Sequence, residues 1–471
     1  MQSIVSDRVR SFIDPREGGA TFRDVLRLAI PVSVQSLVQS FLGMVDQIMV
    51  GQLGEVSVAA AGIGNKPSFI LIYALSGITA AASIFASQYA GAAASGKDSV
   101  PGESRRKLAR VMRATLLSGF ALTAAASAAV YAMPALLMSA FTADPAVRAE
   151  AVSYLLITSA SFLPLLVTVS CSALLRSTGR QHIPLVTGFS AVVLNTTLNA
   201  VFIFGFAGIP AMGLAGAAVA TAIARFAEAG ALLVIMKKLD APGRVGEALS
   251  VRLDKGFPAL FFASALPAVC NELLWALGDS AYAAIYGRLG THEIAGMTLT
   301  YPVVGLTIGF FSGFSAAAGI MVGGKLGSAS FREARCLGRF FFGFGAAGAV
   351  LLGVLVALFA APYASLFRVD PAVRDIAVSI LLLYAIVMWV KVSNMIVLGG
   401  VIRSGGQTRY TLVLDILGTW GIGVPLGLTA AFALHLPVQA VYALIAVEEC
   451  VRLSLALARM RSGKWMVTLN G

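Results

Sequence analysis

The sequence predicts an all-α integral membrane protein: twelve transmembrane helices, built as two six-helix repeats in parallel orientation with a central cavity. Three observations predict it. Of 471 residues, 58% are hydrophobic and only 12% are charged, with a mean hydropathy of +0.84. A soluble chain carries about a quarter charged residues, and a spanning helix takes roughly 20 apolar ones, so this composition supplies about twelve spans. The second observation is an uneven placement of Lys and Arg between apolar runs. The third is an internal repeat at about half the chain length. The composition excludes a soluble enzyme, a disordered chain and a nucleic-acid-binding protein.

The apolar segments are 28–50, 65–92, 114–136, 150–174, 184–206, 212–236, 258–286, 296–323, 340–362, 376–401, 411–433 and 438–459. Pro31, Pro164, Pro267 and Pro302 fall within or at the ends of spans, where neighbouring helices can satisfy the freed backbone groups. The expected layout is a cytoplasmic N-terminal segment 1–26, a six-helix repeat 27–236, a cytoplasmic linker 237–257, a second repeat 258–460 and a cytoplasmic tail 461–471. The N-terminus is charged for about 25 residues before the first apolar run, so no cleavable signal peptide is expected.

The net charge of +12 is a statement about orientation, because cytoplasmic loops are the basic ones. With the N-terminus inside and twelve spans, 27 of the 35 Lys and Arg lie on the cytoplasmic side. Five lie outside (Lys66, Arg148, Arg288, Arg368 and Arg374), and Arg225, Lys391 and Arg452 lie within spans. An odd span number would scramble this bias.

The repeat is explicit. FTADPAVRAEAVSYLL at 141–156 matches FRVDPAVRDIAVSILL at 367–382, offset by 226. LLRSTG at 174–179 matches VIRSGG at 401–406, offset by 227. Pro31, Gly51, Leu53 and Gly54 match Pro267, Gly287, Leu289 and Gly290, and SGITAAASI at 76–84 matches SGFSAAAGI at 312–320, all offset by 236. The matches run in order along both halves. Six spans per copy is an even number, so both copies have the same orientation.

Cys171, Cys270, Cys336 and Cys450 form no CxxC pair, and His182, His292 and His435 are scattered. No disulfide framework or metal site is expected. Ionisable groups inside spans are the candidates for function, because burying them in hydrocarbon is costly. In the first span, Gln35, Gln39, Gly43 and Asp46 fall within about 80° on one helical face. Asn195 and Asn199 share a face of the fifth span, at a depth that lets them meet Asp46. In the seventh span, Glu272, Trp275, Asp279, Tyr282 and Tyr286 fall within about 80° of one another; acids interleaved with aromatics suit an organic cation. Lys391, near the middle of the tenth span, is expected to neutralise Glu272 or Asp415. Arg225 with Glu228 and Glu448 with Arg452 read as structural pairs.

The chain resembles the multidrug and toxic compound extrusion (MATE) transporters. The first span reads IPVSVQSLVQSFLGMVDQIMVGQLG, with the VD-x-x-x-x-G pattern at Val45, Asp46 and Gly51. The fourth span ends CSALLRSTG, the tenth VLGGVIRSGG, the fifth holds LNTTLN, and the last runs into VEECVRLSLALARMRSGKW. The resemblance covers nearly all of the chain after residue 25. It implies a non-enzymatic antiporter that exports organic, often cationic, compounds by alternating access. It needs no cofactor; the coupling ion is a proton or sodium. It places cation or proton coupling at Asp46 with Gln35, Asn195 and Asn199. A substrate or second coupling site falls at Glu272, Trp275, Asp279, Tyr282 and Lys391. One branch of the family carries an Asp where this chain has Asn199, and another carries an acid in the tenth span, where this chain has Lys391. The expected setting is a monomer in the bacterial inner membrane, with both termini cytoplasmic. The alternative is a flippase of lipid-linked sugars from the same superfamily; the interior here has more acids than bases, against the basic cavity of such proteins.

Overall fold

The computed structural model describes residues 20, 22–96, 102–142, 144–206, 208–367 and 369–469, apart from the side chains of residues 39–44, 47, 55 and 291. Among these residues the chain is helical, the one bridge being Phe206 with Ile209. Twelve membrane helices follow in order. The first six are α1 (Phe22–Gly51), α2 (Lys66–Ala94), α3 (Glu103–Ala132), α4 (Pro145–Ser159 and Phe162–Ser177, bent by 49°), α5 (His182–Phe204) and α6 (Gly213–Lys238). The second six are α7 (Phe257–Leu289), α8 (Thr291–Gly327), α9 (Phe331–Ser365), α10 (Pro371–Asn394, continued by a π-helical stretch Met395–Ile402), α11 (Thr408–Asp415, with the stretches Ile416–Gly423, Val424–Leu428 and Thr429–Ala433) and α12 (Val438–Ser462). Several helices overrun the apolar segments. The basic stretch Arg105–Arg113 extends α3 and Phe331–Arg339 begins α9, because Glu, Lys and Arg are good helix formers though not apolar.

The apolar surface points outward as a lipid solvent requires. Leu351, Leu358 and Phe359 of α9 are 65%, 67% and 62% exposed. Polarity is kept inside: α12 carries Glu448, Glu449 and Arg452, all buried.

The repeated sequence motifs build repeated caps. Asp144 accepts hydrogen bonds from the amides of Ala146 (2.8 Å) and Val147 (3.4 Å) at the start of α4, and Asp370 accepts from Ala372 (2.8 Å) at the start of α10. Each is followed by Pro at the first helical position, where no amide is needed. Each copy of the R-S-x-G ending closes on a left-handed glycine, Gly179 at φ 79° and Gly406 at φ 75°, as a helix C-terminus favours.

The chain folds as two compact units: one of residues 34–86 and 98–269, the other of residues up to 33, from 87 to the end of α2, and from 270 onward. The boundary therefore passes inside α1, α2 and α7. In the first unit, Phe85, Phe257 and Phe261 cluster, and α2 crosses α7 so closely that a Cβ on Gly77 would stand 2.5 Å from the Val269 backbone. In the second, Phe311, Phe314, Phe340, Phe341 and Tyr384 form the core. The tail is ordered against that core. Trp465 is fully buried, and Gln88 donates to Ser404 O (2.8 Å) and Val467 O (3.2 Å) while accepting from Leu469 N (2.7 Å).

Candidate functional site

Asp46 sits five residues before the end of α1. Its Oδ1 accepts a hydrogen bond from Asn199 Nδ2 at 2.7 Å. Asn195, one turn away on α5, satisfies both ends of its amide when its oxygen accepts from Thr221 N (3.2 Å) and its nitrogen donates to Asp46 Oδ1 and Oδ2 (3.1 and 3.2 Å). The i, i+4 spacing on α5 is what aims both amides at one carboxylate. Arg225 of α6 acts on Asp46 electrostatically and pairs with Glu228 at 3.2 Å. Tyr154 of α4 also lies within electrostatic reach of Asp46, with its hydroxyl accepting from Asn65 Nδ2 at 3.0 Å.

Gln35 is on the same helix but not at this carboxylate. Eleven residues of helix separate them, about 16 Å along the axis. Its Nε2 donates to Pro184 O at 3.3 Å, and the bare Gly188 of α5 leaves room for Gln35 and Glu228, 3.4 and 3.6 Å from where a Cβ would stand. The side chains of Gln39 and Gly43 lie outside the described residues.

The second unit holds a chain of ion pairs across α7, α10, α11 and α12, buried at Glu449 and Arg452 and part-buried at Glu272, Lys391, Arg403 and Asp415. Arg403 donates to Glu272 Oε1 (3.1 Å) and Asn271 Oδ1 (2.8 Å), and Asn271 Nδ2 donates to Asp415. Arg452 pairs with Asp415 (2.5 Å) and Glu449 (2.9 Å). Asn394 donates to Glu449 Oε2 at 2.8 Å, and Lys391 Nζ stands 4.0 Å from Glu449 Oε1. The expectation that Lys391 neutralises Glu272 or Asp415 is thus corrected. Glu272 is paired with Arg403, Asp415 with Arg452, and Lys391 with Glu449. The reason is register: Lys391 lies twelve residues before Arg403, about 18 Å along α10, at the level of Glu449. The pairing of Glu448 with Arg452 is corrected too, since Arg452 takes Glu449 at i, i+3 instead.

The α7 stripe is divided. Glu272 belongs to the ion-pair chain. Trp275 and Asp279 are exposed, and Asp279 acts electrostatically on Tyr301 of α8. The Tyr282 hydroxyl turns toward Glu448. A Cβ on Gly423, in the π-helical part of α11, would collide with Tyr282 Oη and stand 2.7 Å from Glu448 Oε2. A Cβ on Gly418 would stand 2.5 Å from Arg452 Cδ. The glycines of α11 thus make the space in which the polar groups of α7 and α12 meet, and π-helical turns of this kind recur at functional sites. Sequence reasoning missed Tyr154, Thr221, Asn271, Asn394 and Arg403 as site residues. Arg403 was the one with a usable signal: it repeats Arg176 within the R-S-x-G ending, but reads as a loop charge. No group of three or more His, Cys, Asp or Glu suited to a metal occurs among the described residues.

Comparison with known proteins decides the family. The MatE family model matches residues 31–201 and 267–429, one stretch in each repeat. The chain belongs to the MatE family. It is 24% identical over 446 residues to an uncharacterised transporter, YisQ, of Bacillus subtilis, covering 93% of this chain and 94% of YisQ. It is 25% identical over 412 residues to a Neisseria meningitidis serogroup B protein named "Probable multidrug resistance protein NorM", covering 87% of each. Among solved structures, a MATE crystallised with MaL6 superposes with a TM-score of 0.83 at 18% identity, over 96% of this chain and 98% of that one. The Vibrio cholerae MATE transporter VcmN in its bent form superposes with a TM-score of 0.81 at 20% identity, over 94% and 98%. This MatE protein is therefore a multi-pass membrane transporter and not an enzyme, with the twelve-helix fold that its sequence predicts.

Proposed function

We propose that this MatE protein is a cation-coupled antiporter that exports organic, mainly cationic, compounds by alternating access, with Asp46 as the coupling carboxylate. The observation that carries the reading is the Asp46 group: one carboxylate inside a span, held at 2.7 Å by Asn199 with Asn195 beside it and Arg225 within electrostatic reach. A carboxylate at this depth is costly to cross hydrocarbon as an ion, so it moves between states with a cation bound. Both amides donate N–H groups to the ionised carboxylate, and the buried Asn199 Oδ1 is left without a partner among the described residues, so either a proton or a sodium ion can serve as the coupling ion. Coupling then follows from linkage: cation and substrate each weaken the other's binding by the same factor. The bias of Lys and Arg supports cytoplasmic termini, with 237–257 as the linker between the repeats of a monomer in the bacterial inner membrane.

The test is Asp46→Asn in purified protein reconstituted into liposomes. The variant is expected to insert and stay monodisperse, while ethidium transport driven by a proton or sodium gradient falls to the rate of protein-free vesicles. Wild-type gradient-driven transport by Asp46→Asn overturns the reading.

A further inference from the structure

We infer that the cleft between the last turn of α6 and the linker binds the phosphate headgroup of an anionic phospholipid, such as phosphatidylglycerol. The cleft lies in the first unit and shares no residue with the Asp46 group. Three observations carry the inference.

The first is the cavity. A cleft of about 450 Å3 lies where the last turn of α6 meets the helical turn Val245–Ser250. That volume falls within the roughly 300–1,000 Å3 of small-ligand sites. Leu233, Met236 and Val245 form its apolar wall. Lys237, Arg244, Glu247 and Ser250 form its polar one.

The second is charge. Both acids at the cleft are already spent. Asp240 pairs with Arg105 at 2.7 Å and with Arg244 at 2.9 Å. Glu247 pairs with Arg244 at 3.2 Å and also with Arg105, and it accepts from Gly243 N at 3.1 Å. Two arginines and two carboxylates thus balance. Lys237 is left over: it is exposed and enters no ion pair among the described residues. Arg113 and Arg180 enter none either, and donate to carbonyls within two residues of the cleft lining. Arg113 donates to Leu249 O at 3.1 Å and Arg180 to Leu239 O at 3.5 Å. Three cations without a carboxylate therefore stand at a cleft whose own acids are neutralised, and such a site suits an anion. Basic pockets beside membrane helices take anionic lipid headgroups in this way.

The third is the apolar flank. Leu233 precedes Lys237 by one turn on the same face of α6. It lines the cleft and is 37% exposed. Leu249, next to Ser250, is 69% exposed. A leucine in the span with a lysine one turn later, at the helix end, offers contact first to an acyl chain and then to a phosphate. The lysine stem covers apolar surface while its ammonium reaches the interface. A free phosphate ion would leave the leucines bare, so the occupant is a lipid.

The test is photolabelling of the purified full chain in phosphatidylcholine nanodiscs, with a trace of phosphatidylglycerol that carries a diazirine near its headgroup. Labelled positions are mapped by peptide mass spectrometry. The expected result is saturable labelling within 233–250 that unlabelled phosphatidylglycerol displaces and millimolar sodium phosphate does not. At subsaturating lipid, Lys237→Gln should lower that labelling about fivefold, the effect of one basic group at an anionic membrane surface. Lys237→Arg should keep it, and Lys464→Gln, which removes the same charge from the exposed tail, should leave it unchanged. Wild-type labelling in Lys237→Gln overturns the inference, and so does an equal loss in Lys464→Gln. Displacement by sodium phosphate also overturns it, because the site would then take a free anion. Labelling of 233–250 no stronger than that of other exposed helix ends overturns it as well. The readout is binding and not transport, so it stands or falls apart from the role proposed for Asp46.

Discussion

Replacing Arg452 with Met is the sharpest test of the ion-pair chain. Arg452 is the hub: its guanidinium meets Asp415 at 2.5 Å and Glu449 at 2.9 Å, and the three side chains are 9%, 18% and 10% exposed. At that burial solvent does not screen the loss. Removing one partner of a buried pair costs about 3–5 kcal/mol, chiefly because a charge is left uncompensated. Two carboxylates lose Arg452 here, but they can take up protons and so avoid paying twice. Asn271 still donates to Asp415, and Asn394 and Lys391 still face Glu449. The expected destabilisation therefore stays near 3–5 kcal/mol. It is measured as the folding free energy from SDS titration in mixed micelles. Adding Asp415→Asn to Arg452→Met should recover part of the loss, a coupling of about 1–3 kcal/mol for residues in one network. A single-variant cost below about 1 kcal/mol, or a cycle additive to within about 0.5 kcal/mol, would refute the view that these charges are buried and mutually dependent.

Two further outcomes are expected. In double-mutant cycles on the same assay, Arg403→Gln should couple to Glu272→Gln by more than about 0.5 kcal/mol, while Lys391→Met should show no such coupling to Glu272→Gln; coupling of Lys391 to Glu272 would restore the pairing expected from sequence. In a variant lacking the four native cysteines, cysteines placed at the exposed positions Ser95 and Gly246 should be labelled by an impermeant maleimide only from the cytoplasmic side, and one at Ala146 only from outside; external labelling of Ser95 sinks the orientation.

Much of the fold was legible because its cause is compositional and periodic. The apolar runs, the basic segments and the DPAVR and R-S-x-G repeats lie openly in the chain, and the structure turns each repeat into a cap or a helix end. Asp46 with Asn199 was legible for the same reason: α1 and α5 each state their polar face by helical spacing. The pairings of the second unit were not. Which acid meets which base depends on the axial register of four helices, and a single helical turn moves a side chain by 5.4 Å. Arg403 looked like a loop residue because it stands at a helix end, yet a long guanidinium reaches inward from there to Glu272. The π-helical turns of α11 were equally hidden. They leave no signature beyond extra glycines, and those glycines matter only through the neighbours they admit, Arg452 at Gly418 and the Tyr282–Glu448 pair at Gly423.

The two halves share an electrostatic plan that bears on the cation coupling proposed for Asp46. In one, Arg225 stands among Asp46 and Glu228; in the other, Arg452, Arg403 and Lys391 stand among Glu272, Asp415, Glu448 and Glu449. Each group has one more acid than base. A fixed arginine alone would neutralise a single acid permanently and leave nothing to exchange. One surplus carboxylate per half instead leaves a charge that a cation can join. Under the proposed function, an organic cation and the coupling ion satisfy the same electrostatic need, and the gain from one is smaller when the other is already present. That competition is what reciprocal linkage requires of the proposed antiporter, and it would come from the count of charges before any particular substrate contact is considered.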